Sequence, residues 1–468
     1  MTTHSPYAAA DALRPQFAGS VLTPEDPGYD AARAIFNAMV DRRPAVIAQC
    51  TGAEDVRAAL AFADRTGLEV AVRGGGHSVA GASLTEGGLV VDLRRMRAVT
   101  VDPRARTAVV EGGATWADFD RACQPHGLGT TGGRVSSTGV AGLTLGGGSG
   151  WFERKFGLAC DSLLSVDLVT ADGVEIRASA NEHPDLFWAL HGGGGNFGVA
   201  TRLTFELHPL PVTTLGLLLW EAERGLEVTT AYRDLIEGGV TEDLGGAVAY
   251  LTGPPEDFVP AELHGKRLAV CIAVYAGTAA ELRNVLAPMF ALRPDGELLT
   301  EMPYCDIQCA LDDPPGVRNY WSSEHLADLP DDAVRRFAEQ GMAMLVPTPS
   351  QSLLVPWGGA VATGAREWPQ PYRDAAWVVH PFGLWEDPAD DAYGIAWVKN
   401  TIAAMRPYAT GAVYLNFIGN EGMDRVIAGY GRENYTKLAA VKLEYDPRNV
   451  FHLHHNIHPA AATSGRRS

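Results

Sequence analysis

The chain has 468 residues, of which 46% are hydrophobic and 20% charged, a balance typical of a folded globular protein. The length exceeds what one hydrophobic core usually organises, so we expect two domains. The 38 basic and 56 acidic residues give a net charge of −18, which disfavours nucleic acid or an anionic membrane as a partner. Six scattered cysteines and the lack of a signal-like or membrane-spanning segment predict a cytoplasmic protein.

Strands and helices alternate in the first half. The spacing in Thr51-Gly52-Ala53-Glu54 predicts a capping box for a helix that ends at Gly67. Thr115 opens a further helix, and Ala171-Asp172-Gly173 predicts a hairpin turn. The predicted strands of this half cover residues 68–72, 89–93, 107–111, 163–170 and 174–178.

The composition of the sequence changes near residue 210. Glycine clusters become rarer, and segments such as 268–275 and 353–361 read as strands of an antiparallel sheet. The tail, 430–459, is predicted to be helical and then extended, and to pack on the first domain. The predicted fold class is therefore α+β, with domain limits of 1–210, 211–410 and 411–468.

One strand runs straight into Gly74-Gly75-Gly76-His77. Such a turn exposes backbone N–H groups with no side chains in the way, and this suits a pyrophosphate. The spacing is neither the Gly-x-Gly-x-x-Gly of a dinucleotide fold nor a Walker motif. Taken alone, a turn histidine without chemistry is the commoner explanation.

Four ordered blocks, spread over residues 20 to 459, change that interpretation. Together they resemble the vanillyl-alcohol-oxidase (PCMH-type) FAD family, and more closely its berberine-bridge-enzyme-like branch, including 6-hydroxynicotine oxidases and flavin-dependent polyketide-tailoring oxygenases. The resemblance implies a PCMH-type FAD-binding domain of two α/β subdomains and a substrate domain with an antiparallel sheet covered by helices. The blocks centre on Arg73–Ser78, Gly132–Gly148, Lys155–Val199 and Tyr414–Pro459.

The resemblance also implies how FAD is held. The histidine at the position of His77 is bonded to the flavin 8α carbon, and many relatives add a cysteine where this chain has Val135, so one covalent link is expected here. The remaining cofactor-binding positions implied are Arg73, Gly74, Gly75, Gly76, Ser78, Gly81, Gly133, Thr138, Gly139, Val140, Gly142, Gly146, Gly147, Gly148, Asp161, Val199, Tyr414, Asn416 and Asn456.

Three candidate catalytic residues follow from the same comparison. Thr138 lies where relatives tune oxygen access, although a threonine that packs in a glycine-rich turn explains it equally well. Tyr414 and Asn416 are two apart, so on a strand they share a face, and the tyrosine can act as a base or simply pack in the sheet. His380 falls near the position of an acidic base in some relatives, and Leu353 replaces an acidic residue of the polyketide-oxidising ones.

Other polar and aromatic clusters have simpler explanations. Tyr250, Tyr275 and Tyr304 are further candidates for the pocket. Trp357, Trp368, Trp377 and Trp385 are better explained by core packing than by a carbohydrate platform. His452, His454, His455 and His458 are expected to contact the flavin and not a metal, because adjacent strand residues face opposite sides.

The expected function is oxidation of a small molecule, such as a secondary metabolite, at a carbon bonded to O or N, with O₂ as acceptor and H₂O₂ as product. An oxygenase or oxidative cyclase of secondary metabolism is the alternative within the family. A non-redox binding protein for a small ligand is the alternative outside it. The expected oligomeric state is a monomer or a homodimer.

Overall fold

A four-stranded sheet begins the fold. In the computed structural model, which describes residues 6–364 and 368–461, its strands are β1 (Ser20–Leu22), β2 (Val46–Gln49), β3 (Val70–Arg73) and β4 (Leu89–Asp92). The order is β1-β2-β4-β3; β2, β4 and β3 are parallel, and β1 runs antiparallel at the edge. The strand predicted just before the Gly-Gly-Gly-His turn is thus confirmed as β3.

A five-stranded antiparallel sheet follows, in the order β5-β6-β10-β8-β9. A short separate pair joins β7 to β11. The strands are β5 (Val99–Asp102), β6 (Thr107–Glu111), β7 (Leu128–Gly129), β8 (Leu163–Val169), β9 (Glu175–Ser179), β10 (Val199–Glu206) and β11 (His208–Pro209).

The third sheet is wholly antiparallel and has the order β15-β12-β14-β13-β18-β19-β16, with β17 also pairing to β19. The strands are β12 (Thr214–Glu221), β13 (Leu244–Thr252), β14 (Arg267–Tyr275), β15 (Gly296–Glu301), β16 (Arg318–Trp321), β17 (Glu324–Leu326), β18 (Gln351–Pro356) and β19 (Trp377–Trp385). The α+β class is confirmed, and so is the antiparallel sheet that we predicted for the part of the chain after residue 210. The exact domain limits at 210 and 410 stay a prediction.

Helices connect and cover these sheets. Those of the first half are α1 (Pro6–Leu13), α2 (Tyr29–Arg33), α3 (Ala53–Thr66), α4 (Trp116–Cys123), α5 (Val140–Leu145), α6 (Glu153–Phe156) and α7 (Pro184–Ala189). Those that follow are α8 (Gly225–Glu237), α9 (Ala279–Val285), α10 (Ala287–Phe290), α11 (Tyr304–Ala310), α12 (Asp331–Met342), α13 (Ala360–Thr363), α14 (Asp391–Met405), α15 (Met423–Tyr430) and α16 (Arg432–Tyr445).

The third sheet buries both faces. On one face, apolar residues of α8, α12 and α14 such as Tyr232, Phe337 and Trp397 form a core with it. On the other face, Trp151 and Phe152 of the first half pack against it. The sheet therefore lies between its covering helices and the first half, which places several of its side chains at the site described below.

Local signals explain where several elements begin and end. Thr115 and Asp118 form the capping box of α4, and Gly67 (φ +69°) closes α3, both as predicted. The capping box predicted between Thr51 and Glu54 is wrong. The partner of Thr51 is Asp55, whose carboxylate accepts hydrogen bonds from the Thr51 N–H and hydroxyl, both at 2.8 Å. Strand β18 ends at Pro356, earlier than predicted, because Gly358 and Gly359 take positive φ angles.

The tail packs on the first half through a buried ion pair. Lys442 and Asp446 are one turn apart on α16, lie 2.7 Å apart and are fully buried. The ammonium of Lys442 also donates to the carbonyls of Asn196 and Phe451, so the helix holds two distant segments together. Within the described ranges no helix combines the length and apolarity needed to cross a bilayer. All six cysteines are free thiols.

Candidate active site

A large cavity lies where the three sheets meet, at the end of β3. The space between its walls, including the open mouth, amounts to about 1760 Å³. Residues of β3, β10, β18 and β19 contribute to its walls. The predicted site residues that line it are Gly74, Gly75, Gly76, His77, Ser78, Gly133, Val135, Thr138, Gly139, Gly142, His380 and Asn416.

The two glycine segments of the cavity touch each other. A Cβ atom at Gly75 would lie 2.3 Å from the backbone nitrogen of Gly139, and one at Gly139 would lie 2.4 Å from the nitrogen of Gly75. Any side chain at either position would force the two backbones apart. The glycines were predicted to let the backbone approach a ligand closely. In the structure they also allow residues 74–76 to pack against residues 137–139, and the two segments together form one continuous wall of the cavity.

His77 follows this wall and its ring is neutral. Burial lowers the pKa of His77 to about 4. The ring stacks on Phe36 with centroids 3.7 Å apart, and the Trp321 ring lies beside this pair, 5.8 Å from each centroid. Its Nε2 atom is buried and has no hydrogen-bond partner among the described residues. The imidazole is thus held in place by aromatic packing, and it retains a lone pair for bond formation.

The third sheet supplies the wall opposite the glycines. In the register of β18 and β19, Leu353 pairs with His380 and Gln351 pairs with Phe382, and all four line the cavity. The Nδ1 of His380 donates to the carbonyl of Ser322 at 2.9 Å, and burial lowers the His380 pKa to about 4. Since Nδ1 carries the proton, Nε2 of this neutral ring is an acceptor.

Two formally charged side chains also line the cavity. Arg134 donates to the buried carboxylate of Glu153 at 2.7 Å and to the hydroxyl of Ser149 at 3.0 Å. Asp313 accepts a hydrogen bond from the amide of Gln351 at 2.8 Å, and burial raises its pKa to about 8.

Tyr414 differs most from its predicted role. It is not on a strand but immediately precedes the 3₁₀ turn Leu415–Phe417, and it is fully buried behind the cavity wall. Its hydroxyl oxygen accepts N–H bonds from Gly148 (2.8 Å), Ser149 (3.0 Å) and the side chain of Asn416 (2.8 Å). Three donors enclose the oxygen, so Tyr414 supports the turn at 146–149, while Asn416 itself reaches the cavity.

Several other predicted cofactor positions lie behind the walls. The Arg73 guanidinium donates to the carbonyls of Ala32 and Ala34, and the Asp161 carboxylate pairs with Arg373 at 2.6 Å. Each is held there by a partner that is itself part of the scaffold. The remaining positions that do not border the cavity are Gly81, Val140, Gly146, Gly147, Gly148, Val199 and Asn456.

The histidines of the tail do not form a metal site. His454 and His455 both line the cavity with ring centroids 4.7 Å apart, because this segment turns and is not the strand we assumed. His455 donates through Nε2 to the carbonyl of Leu415 at 2.9 Å. Among the described residues no group of three or more His, Cys, Asp or Glu side chains is arranged to hold a metal.

The additional tyrosine candidates are wrong. Tyr250 and Tyr275 lie in the core between the third sheet and its helices, and Tyr304 packs on Phe152 with ring centroids 4.8 Å apart. Three of the four tryptophans behave as expected, since Trp357, Trp377 and Trp385 are at most 3% exposed, and the half-buried Trp368 stacks on His191 with ring centroids 3.8 Å apart. A carbohydrate platform built from these residues is therefore excluded.

Sequence reasoning missed Trp321, Asp313 and Gln351, which line the cavity, and Phe36, which packs on the His77 ring. Phe36 and Trp321 lie beside His77, and Asp313 and Gln351 form the polar pair, yet none belongs to a recognisable motif. Phe36 and His77 are 41 positions apart, and only packing brings their rings together. A weak signal was available for Asp313, because an acidic residue in a Pro-flanked loop beside an apolar strand invites a check for a charge near a pocket.

Fold and site together define an FAD-dependent oxidoreductase. A family model for an FAD binding domain matches residues 44–179, and one described as berberine and berberine like matches residues 413–458. The FAD-linked oxidoreductase YgaK of Bacillus subtilis is 30% identical over 94% of this chain and 97% of its own length. The (R)-6-hydroxynicotine oxidase of Paenarthrobacter nicotinovorans is also 30% identical, over the same shares of the two chains.

A solved structure agrees with these sequence relatives. The crystal structure of 6-hydroxy-D-nicotine oxidase from Arthrobacter nicotinovorans has a TM-score of 0.84 and 27% identity, and the match covers 94% of this chain and 98% of that one. The chain belongs to the berberine-bridge-enzyme-like branch of the PCMH-type FAD oxidoreductases.

Proposed function

We propose that the protein is an oxidase that holds FAD through a single covalent bond to His77 and oxidises a small molecule at a carbon bonded to O or N. The observation that carries this proposal is the neutral, aromatically clamped His77 at the end of a glycine wall, with an unpartnered buried ring nitrogen. Val135 lines the same cavity and offers no thiol for a second bond.

The cavity fits the cofactor on its own geometry. Gly142 and Gly195 border it, and a Cβ atom at either would meet no protein atom within 4 Å, so both glycines leave space that a ligand can fill. The predominantly apolar walls also suit a flavin ring and exclude water from it. When bound, FAD would supply the redox chemistry of an oxidase, in which the substrate loses a hydride and a proton and O₂ is reduced to H₂O₂.

Side chains of the chain have distinct tasks in this scheme. His380 holds its Nδ1 proton on Ser322, so its Nε2 can accept the proton that the substrate heteroatom loses. Thr138 borders the cavity and is the candidate to orient O₂. We assign Tyr414 no contact with the substrate or with O₂, because three N–H groups enclose its oxygen. Its role is to stabilise the turn at 146–149 behind the cavity wall.

The covalent link is tested by acid precipitation and intact mass. The wild-type protein should give a yellow pellet and carry the mass of one FAD. His77→Ala should lose both, whereas His126→Ala, which changes an exposed histidine outside the cavity, should keep them. Acid-stable flavin in His77→Ala would contradict the attachment. A colourless wild-type protein would favour a binding protein that has no redox role.

The oxidase activity is tested separately with a panel of amines, alcohols and sugars. Anaerobic bleaching of the flavin identifies a substrate, and H₂O₂ formed in air is then compared with product. One H₂O₂ per product is expected of an oxidase. Product that contains an oxygen atom from labelled O₂, with less than stoichiometric H₂O₂, would replace the oxidase by the oxygenase alternative.

A further inference from the structure

The cavity contains one carboxyl group, that of Asp313, for which no described residue supplies a cation. Arg134 is paired with Glu153 at 2.7 Å. Asp313, by contrast, is only 8% exposed and its assigned partner is the neutral amide of Gln351; no basic side chain of the described ranges forms an ion pair with it. Among the lining residues described, these two are the only Asp, Glu, Lys or Arg.

The carboxyl group of Asp313 is fixed between the two halves of the cavity. Its neighbour Asp312 accepts hydrogen bonds from both the backbone N–H and the hydroxyl of Ser136, each at 2.5 Å. Ser136 directly follows Val135 in the glycine-rich wall. Gln351, which donates to Asp313, comes from β18 of the opposite sheet. The acid is therefore positioned from both sides, and it is not a free loop residue.

The surroundings of Asp313 restrict what can balance it. Apart from Gln351 and the His380 ring, the surrounding wall is apolar, with Leu353, Phe382, Trp321 and Phe417 among its members. A buried carboxyl either keeps its proton or meets a cation, because an unpaired buried charge is costly. A polyhydroxylated sugar would leave hydroxyl groups unpaired against these side chains, whereas an apolar or aromatic amine matches both the acid and its surroundings.

We propose that Asp313 receives the basic nitrogen of the substrate, and that the substrate class is therefore amines with an apolar or aromatic body. This inference rests on the proposed flavin oxidase function and specifies which molecules it acts on. The residue comes from the loop after α11, outside every motif that pointed to FAD.

The test compares ligands that differ in charge but not in shape. Phenethylamine and 2-phenylethanol, and benzylamine and benzyl alcohol, are mixed rapidly with the anaerobic flavin-loaded protein. The dissociation constants are read from the flavin absorbance change that precedes bleaching, or from the concentration dependence of the bleaching rate where a ligand is oxidised; cellobiose is the sugar probe. The amines should bind roughly ten- to a hundredfold more tightly than the alcohols, as a charge-assisted hydrogen bond predicts.

Two variants locate the effect. Asp313→Asn keeps the shape and should abolish the preference for amines while alcohol binding stays within about twofold. Asp306→Asn removes an equal charge from an exposed position of α11 and should leave the preference intact. The inference is overturned if wild type shows no amine preference, if no amine perturbs the flavin, if cellobiose binds more tightly, or if Asp313→Asn keeps the preference. Flavin attachment and the oxidation of other substrates are measured separately. A failed amine preference would therefore refute the role of Asp313 without refuting the proposed oxidase function.

Discussion

Gly75→Ala should break the contact between the two glycine segments. The added Cβ would lie 2.3 Å from the Gly139 nitrogen and 2.7 Å from its Cα, so the backbones would have to separate by about 1.1 Å to reach the 3.4 Å of ordinary contact. Overpacking typically costs about 1–3 kcal/mol, and the upper end applies because both neighbours are backbone atoms. An unfolding entropy of about 2.1 cal/mol/K per residue gives roughly 1 °C per kcal/mol for a chain of 468 residues, so a loss of about 3 kcal/mol lowers Tm by about 3 °C.

The assay is thermal unfolding followed by circular dichroism, performed in the His77→Ala background after dissociable flavin is removed. Gly142→Ala is the matched control, since its Cβ would meet no atom within 4 Å and alanine is favoured by about 0.5–1 kcal/mol inside a helix. The Tm of Gly142→Ala should be unchanged or higher. The same substitution made in the protein that keeps His77 should reduce flavin loading, because the added methyl group enters the cavity. A Tm for Gly75→Ala within about 1 °C of the parent would refute the contact between residues 74–76 and 137–139.

Three further changes test the scaffold. Burial raises the pKa of Asp313 to about 8 against roughly 3.9 when unfolded, so the folded state holds that proton more tightly. Its stabilising contribution is complete below pH ~4 and is lost as the pH rises to 8; urea unfolding should therefore show wild type weakening relative to Asp313→Asn between pH 5 and 8. Lys442→Met should cost about 3–5 kcal/mol because the buried Asp446 carboxylate would lose its cation and keep only the N–H groups of Val450 and Phe451. A double variant with Asp446→Asn, which removes the charge and keeps an acceptor, should recover part of that loss in the same assay. Tyr414→Phe removes the acceptor of three N–H groups and should lower the free energy of unfolding by about 1–3 kcal/mol, with KM for substrate little changed; unaltered stability would contradict the supporting role.

Much of the cofactor region could be predicted from short stretches of sequence. The strand that ends at Arg73, the glycine turn before His77 and the cap of α4 at Thr115 each depend on the conformational preferences of a few neighbouring residues. The Asp172-Gly173 hairpin is of the same kind, with Gly173 at φ +81°. Such features are encoded locally, so they can be predicted without any knowledge of the rest of the chain.

The substrate side was predicted less well, for a physical reason. A spacing of two residues indicated that Tyr414 and Asn416 share a face of a strand, yet the chain forms a 3₁₀ turn there and the tyrosine oxygen meets the backbone at 148–149. No local pattern reports those N–H donors, because they lie about 265 positions earlier. Asp313 was missed likewise, since its burial beside Gln351 is a product of packing.

The sequence alone determined that a glycine-flanked histidine follows a strand, and that the chain combines an FAD-binding region with an antiparallel sheet. These are consequences of local backbone chemistry and of ordered motifs. Only the tertiary structure decided that Phe36 clamps His77, that His380 faces the cavity and Tyr414 does not, and that Asp313 is left without a cation. Burial and pairing are set by residues distant in the chain, and these two properties determine which side chains can do chemistry.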